Sequence, residues 1–116
     1  MNLYLARHAE AGNANSDSKR ELTEFGKTTL INSIKTWKQY IEEIDYIITS
    51  PYLRAKQTAE LIKSEFAGST LFEDRKLTPG SNSEDLLEIL KVLESQNILI
   101  VGHMPDLSYH VSFLVS

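Results

Sequence analysis

The chain alternates short apolar runs with longer segments in which apolar residues recur every three or four positions. Leu3 to Ala6, Tyr46 to Thr49 and Ile98 to Val101 are dense in β-branched or large apolar side chains and end in polar or turn residues. Both alternating faces of these runs are apolar, as in strands buried on two sides. Thr70 to Phe72 is a weaker fourth run. Between the runs lie helical stripes. Leu30, Ile34, Trp37, Ile41 and Ile44 follow one another at steps of four and three, which predicts one long helix. Ala55, Ala59, Ile62 and Phe66 repeat that spacing. Leu86, Leu90 and Leu93 form a third stripe, with Ser81 and Glu84 ahead of it in capping-box order. A fourth begins near Pro105 and takes in Leu107, Val111 and Leu114. The alternation predicts an α/β fold, three layers in the order α/β/α around a mostly parallel sheet.

Three of the predicted strands end in unusual residues. The first ends in Arg7-His8. The second ends in Ser50-Pro51, with Arg54 one turn later, and the third in Gly102-His103. In a parallel sheet these ends share one edge, the edge at which open α/β sheets bind ligands. Two arginines and two histidines would then converge on one pocket. Two polar loops, Gly12 to Arg20 and Thr78 to Ser83, border the same edge if the strands run as predicted.

Each piece also has an ordinary reading. A histidine after a strand is commonly a hydrogen-bonded structural residue, and an arginine on a helix is commonly a solvated ion-pair partner. Ser50 and Pro51 suit an N-cap and a first helical residue. Asp17 and Arg20, three apart in a loop, are expected to pair with each other. The convergence favours chemistry. Grouping several cationic side chains is costly unless an anion compensates them, and the natural anion for forked guanidinium groups is a phosphate. A zinc site built from His8, Glu10 and His103 is the rival, but the spacing has no helical His-x-x-x-His and Arg7 and Arg54 would repel a dication. No metal and no cofactor is expected.

Composition narrows the classes further. At 116 residues the chain forms one domain, with 41% hydrophobic and 24% charged residues. A net charge of −4 argues against a surface built for nucleic acid. The absence of cysteine excludes disulfides and thiol catalysis. No segment has the length of a membrane span, and Arg7 and His8 interrupt the N-terminus too early for a signal peptide, so a cytoplasmic protein without a membrane partner is expected.

The residues resemble the histidine phosphatase superfamily and, within it, the small SixA-type phosphohistidine phosphatases. "RHAEA" looks like the family's Arg-His-Gly signature in its Arg-His-Ala-Glu form, and "SDSKRELTEFG" resembles the SixA-type loop and helix start. "SPYLRAKQTAE" is close to the Ser-Pro-x-x-Arg-Ala-x-Gln-Thr segment, and "LTPG" and "VGHMP" match later segments in order. The resemblance implies a phosphoglycerate mutase-like fold. It further implies His8 as a nucleophile that forms a phosphohistidine intermediate, with Arg7, Arg54 and His103 holding the phosphoryl oxygens. Arg20 is a further candidate for that pocket. The substrate it implies is a phosphohistidine-bearing phosphotransfer protein in signal transduction, with a phosphate ion accommodated in the pocket.

Phosphoglycerate mutase-like relatives carry a general-acid glutamate ahead of the "LTPG" segment, where this chain has Lys76. Glu10, Asp17 and Glu73, with Asp74, are the remaining candidate acids. An alkoxide needs a proton donor to leave, whereas a protonated phosphoimidazole does not, so the absence favours a phosphohistidine substrate. A small-molecule phosphomonoesterase and a non-catalytic phosphate- or phosphohistidine-binding module are the alternatives, with a mutase behind both. The chain stops within the apolar pattern "HVSFLVS", which leads to the expectation of a domain 1–116 truncated at its C-terminus and able to dimerise through an incomplete edge.

Overall fold

The computed structural model describes residues 2–93 and 96–103. Four strands, β1 (Asn2–Arg7), β2 (Tyr46–Thr49), β3 (Thr70–Glu73) and β4 (Asn97–Gly102), form one sheet in the order β1-β4-β2-β3. Every pairing is parallel. Three helices, α1 (Glu24–Trp37), α2 (Leu53–Glu65) and α3 (Ser83–Val92), cover it.

The dense apolar runs follow from burial on both faces. Along β4, Leu99 and Val101 join the cluster built with α1 and α2, including Leu30, Ile34, Ala55, Ala59 and Ile62. Ile98 and Ile100 point the other way, to Leu86, Ile89 and Leu90 of α3. Ile47 and Ile48 of β2 divide in the same manner. Side chains alternate along a strand, so a strand covered on two sides must be apolar at every position. This is the three-layer α/β arrangement expected from the pattern.

Three boundaries differ from the sequence expectation. The first long stripe does not remain helical: α1 ends at Trp37, yet Ile44 is buried and Ile41 packs on the same core. Glu42, Glu43 and Asp45 would have lain at the negative end of a longer helix, and the Asp45 backbone instead bonds Asn97 and Thr70 at the start of β2. The second helix begins at Leu53 with Tyr52 at its N-cap, so Ser50 is not the cap and Pro51 is not helical. The Ser50 hydroxyl accepts from Tyr52 N at 3.2 Å, a turn of its own that delays the helix. The cap of α3 is Asn82, whose side chain accepts from Asp85 N, rather than Ser81. The expected helix from Pro105 lies outside the described residues.

One glycine governs how α1 meets the sheet. A Cβ on Gly26 would stand 2.4 Å from the Glu10 carbonyl oxygen, so the first turn of α1 rests directly on the backbone that follows His8. Thr23 fastens the same contact: its N–H donates to Glu10 O at 3.0 Å and its hydroxyl to Glu10 Oε1 at 2.9 Å. Gly26→Ala is therefore expected to cost about 1–3 kcal/mol through overpacking. Urea unfolding should show a lowered midpoint, and an unchanged midpoint would contradict this packing.

Candidate active site

Parallel pairing brings the three chemical strand ends to within one residue of the same level. Arg7 of β1 pairs with Gly102 of β4, and Thr49 of β2 pairs with Val101. His8, Ser50 and His103 each follow one of these strands directly. The His8 and His103 ring centroids stand 5.3 Å apart.

Two partners assign the tautomer of His8. Nδ1 lies 2.8 Å from the Ala9 carbonyl oxygen, which only accepts, so Nδ1 carries the hydrogen. Nε2 lies 3.2 Å from Nε of Arg54, which only donates, so Nε2 presents its lone pair. Burial pulls the His8 pKa below its ordinary 6.5; the bond to Ala9 O opposes this, and the charges of Arg54, Arg7 and Arg20 add to the lowering. His8 is thus a neutral imidazole whose Nε2 carries no hydrogen and accepts from Arg54.

Arg54 sits in the first turn of α2 and is only 5% exposed, an unfavourable place for a cation unless it is compensated. Asp17 supplies the compensation. Arg54 Nη1 donates to the Asp17 carbonyl oxygen at 2.7 Å, and Nη2 to the Asp17 carboxylate at 3.3 Å. The Arg54 guanidinium also lies 5.1 Å from the Tyr52 ring centroid, and that ring meets His103 edge-on at 5.3 Å. His103 is buried, with Nε2 2.7 Å from the Ser50 hydroxyl. This bond is what Ser50 does in place of capping the helix.

Arg20 pairs with Asp17 at 3.2 Å, as their spacing suggested, and also donates through Nε to Gly12 O at 2.7 Å. Its bond, and less strongly the charge of Arg54, hold the Asp17 carboxyl below the usual carboxylate range. Arg7, His8, Ala9, Glu10, Ala11 and Arg20 line an open depression of about 380 Å³. Glu10 is exposed at its wall and accepts from the Thr23 hydroxyl.

The remaining candidates stand elsewhere. Glu73 ends β3, three strands from β1 and so ~14 Å across the sheet, and pairs with Lys56 at 3.0 Å. Lys76 pairs with Glu88 at 2.7 Å, and Asp74 accepts from the Lys76 N–H. Among the described residues no group of three or more His, Asp or Glu side chains is placed to hold a metal. No helix among them is long and apolar enough to cross a membrane. Sequence reasoning gave no role to Thr58 or Gln57, although both lie inside the quoted "SPYLRAKQTAE" segment, and took Gly26 only as the glycine of a helix start. Thr58 bonds both Ala9 N and Arg54 O, and Gln57 Oε1 accepts from Leu22 N.

A profile of the histidine phosphatase superfamily (branch 1) matches residues 3–78. The chain belongs to that superfamily. Within it, the chain is 32% identical over 117 residues to the phosphohistidine phosphatase SixA homolog of Haemophilus influenzae, covering 90% of this chain and 71% of the relative. The solved structure of the protein histidine phosphatase SixA complexed with tungstate superposes with a TM-score of 0.83 at 31% identity, covering 97% of this chain and 75% of that one. This histidine phosphatase is therefore of the SixA type. A phosphoglycerate mutase from Plasmodium falciparum shares the fold, with a TM-score of 0.71 at 20% identity over 96% of this chain and 66% of that one.

The depressed pKa of His8 fixes two pH effects. Proton NMR should find the His8 ring titrating below 6.5, and a midpoint above 6.5 would contradict the burial and charge assigned to it. Between the folded pKa and 6.5 the unfolded chain holds more protons at this site than the folded one. The His8 contribution to stability is therefore fully present above 6.5 and is lost as pH falls through the folded value.

Proposed function

We propose that this protein is a phosphohistidine phosphatase that removes phosphate from a histidine of a phosphotransfer protein through a covalent intermediate on His8 Nε2. The observation that carries the reading is the state of His8: Nδ1–H held by Ala9 O, and Nε2 without a hydrogen, its lone pair accepting from Arg54 Nε. The relatives support the substrate class, since the SixA homolog bears the name phosphohistidine phosphatase and a SixA structure holds tungstate, a tetrahedral oxyanion like phosphate.

In the first step Nε2 attacks phosphorus and the bond from phosphorus to the substrate imidazole breaks. The substrate ring enters protonated on its other nitrogen, so it departs as neutral imidazole and needs no proton delivered to it. Arg54 turns from Nε2 to the phosphoryl oxygens as the new bond forms, and Arg7, Arg20 and His103 share the charge of the transferring group. In the second step water attacks phosphorus and the P–Nε2 bond breaks. Both hydrogens of water leave with dihydrogen phosphate, and His8 returns as the neutral Nδ1–H tautomer.

The placement of the carboxylates agrees with this scheme. Asp17 is held ionised by two arginines and Glu73 pairs with Lys56 on the far side of the sheet, so neither is poised as an acid for an alkoxide. Glu10 stands at the depression wall and in this reading orients the attacking water by accepting a hydrogen bond, without keeping its proton. Catalysis is independent of metal, because the guanidinium groups supply the positive charge a dication would otherwise bring.

Phosphate release should be measured from a phosphohistidine-bearing phosphotransfer protein and from sugar phosphates, with and without a chelator. The protein substrate is expected to be hydrolysed in preference and the chelator to change nothing. His8→Ala should abolish release, and Arg54→Ala should lower kcat by about 10²–10³. Faster hydrolysis of sugar phosphates, or full activity in His8→Ala, would contradict the proposal.

A further inference from the structure

We infer that Thr58 is a positioning residue that ties the two sides of the reacting centre together through one hydroxyl; this rests on the reading of His8 as nucleophile. Thr58 is completely buried in α2. Its hydroxyl donates to the Arg54 carbonyl oxygen at 2.8 Å and accepts from Ala9 N at 3.0 Å. The first bond alone is the back-bond that helical threonines commonly make to the carbonyl four residues earlier. The second has no helical purpose: it reaches 49 residues back to the peptide that follows His8.

The hydroxyl's capacity makes the arrangement directional. It owns one hydrogen, which goes to Arg54 O, and so it meets Ala9 N as an acceptor. Ala9 then works at both ends. Its N–H is held by Thr58, and its carbonyl oxygen holds Nδ1 of His8 at 2.8 Å. Nε2 of the same ring takes Nε of Arg54 at 3.2 Å, which closes a ring of bonds from Arg54 through Thr58, Ala9 and His8 back to Arg54. Thr58 thus sets where the tautomer-determining carbonyl sits relative to the helix that carries the guanidinium. Arg54 and Thr58 stand four apart on α2 and share one face, so a single rigid turn holds both.

Removing the acceptor while keeping the shape isolates this role. Thr58→Val fills the same space but leaves Ala9 N–H without its bond, and Thr58→Ser keeps the hydroxyl. Nitrogen NMR of the His8 ring should show the Nδ1–H tautomer in the parent and in Thr58→Ser, and a mixture of tautomers in Thr58→Val. The same variant should lose about 10–100-fold in kcat on phosphohistidine protein with KM within about threefold, and Thr58→Ser should recover most of it. An unmixed Nδ1–H tautomer in a folded Thr58→Val, or a Thr58→Ser as impaired as the valine variant, would overturn the inference. Should the valine variant fail to fold, amide exchange in the parent decides: slow exchange at Ala9 N–H supports the tether and fast exchange overturns it. The NMR readings do not require turnover. A parent that hydrolyses nothing therefore refutes the proposed function, while the tautomer and exchange results still judge the tether.

Discussion

Parallel pairing of β4 with β1 on one side and β2 on the other sets Arg7 level with Gly102 and Thr49 level with Val101. The chain leaves β1 and β4 at the same height and β2 one residue earlier, and the residue that follows each strand is His8, His103 or Ser50. A register slip of one residue would turn every side chain of a strand to the other face. With Ile98 and Ile100 packed on α3 and Leu99 and Val101 on α1 and α2, the double-sided core resists such a slip. Core packing and site geometry are therefore one constraint: the side chains that bury the sheet also fix where the two histidines emerge.

The second constraint is charge. Arg54 is almost wholly buried in the first turn of a helix, and a lone buried cation is costly. Asp17 answers it with a carbonyl and a carboxylate, and thereby draws the loop from Gly12 to Arg20 over the strand ends. In the proposed reaction these guanidinium groups exchange part of that internal compensation for phosphoryl oxygens. Neutral His8 belongs to the same balance, because burial and the neighbouring cations disfavour its protonation.

Much of this was legible in the chain. Strands covered on two faces must be apolar throughout, so their runs stood out, and Arg7, His8, Arg54 and His103 lay just beyond three of them. What is not legible depends on partners distant in sequence. Ile41 and Ile44 keep helical spacing because both pack on the core, Ile41 half-buried and Ile44 buried, although the backbone there is not helical; periodicity registers packing before conformation. Ser50 before proline looks like a cap until the end of β4 brings His103 to its hydroxyl. Thr58 reads as an ordinary helical threonine until β1 delivers Ala9 N to it. Glu73 lies at a strand end like the others, but strand order sends it to the opposite edge.

The proposed reaction turns on covalent chemistry at one nitrogen. Rapid quenching of the protein during turnover of a phosphohistidine-bearing protein, followed by peptide mapping and phosphorus NMR, tests that directly. An acid-labile phosphoryl group on Nε2 of His8, formed and lost at rates compatible with turnover, is the result predicted. Turnover with no label on His8, or with the label on Nδ1 or on His103, would contradict it.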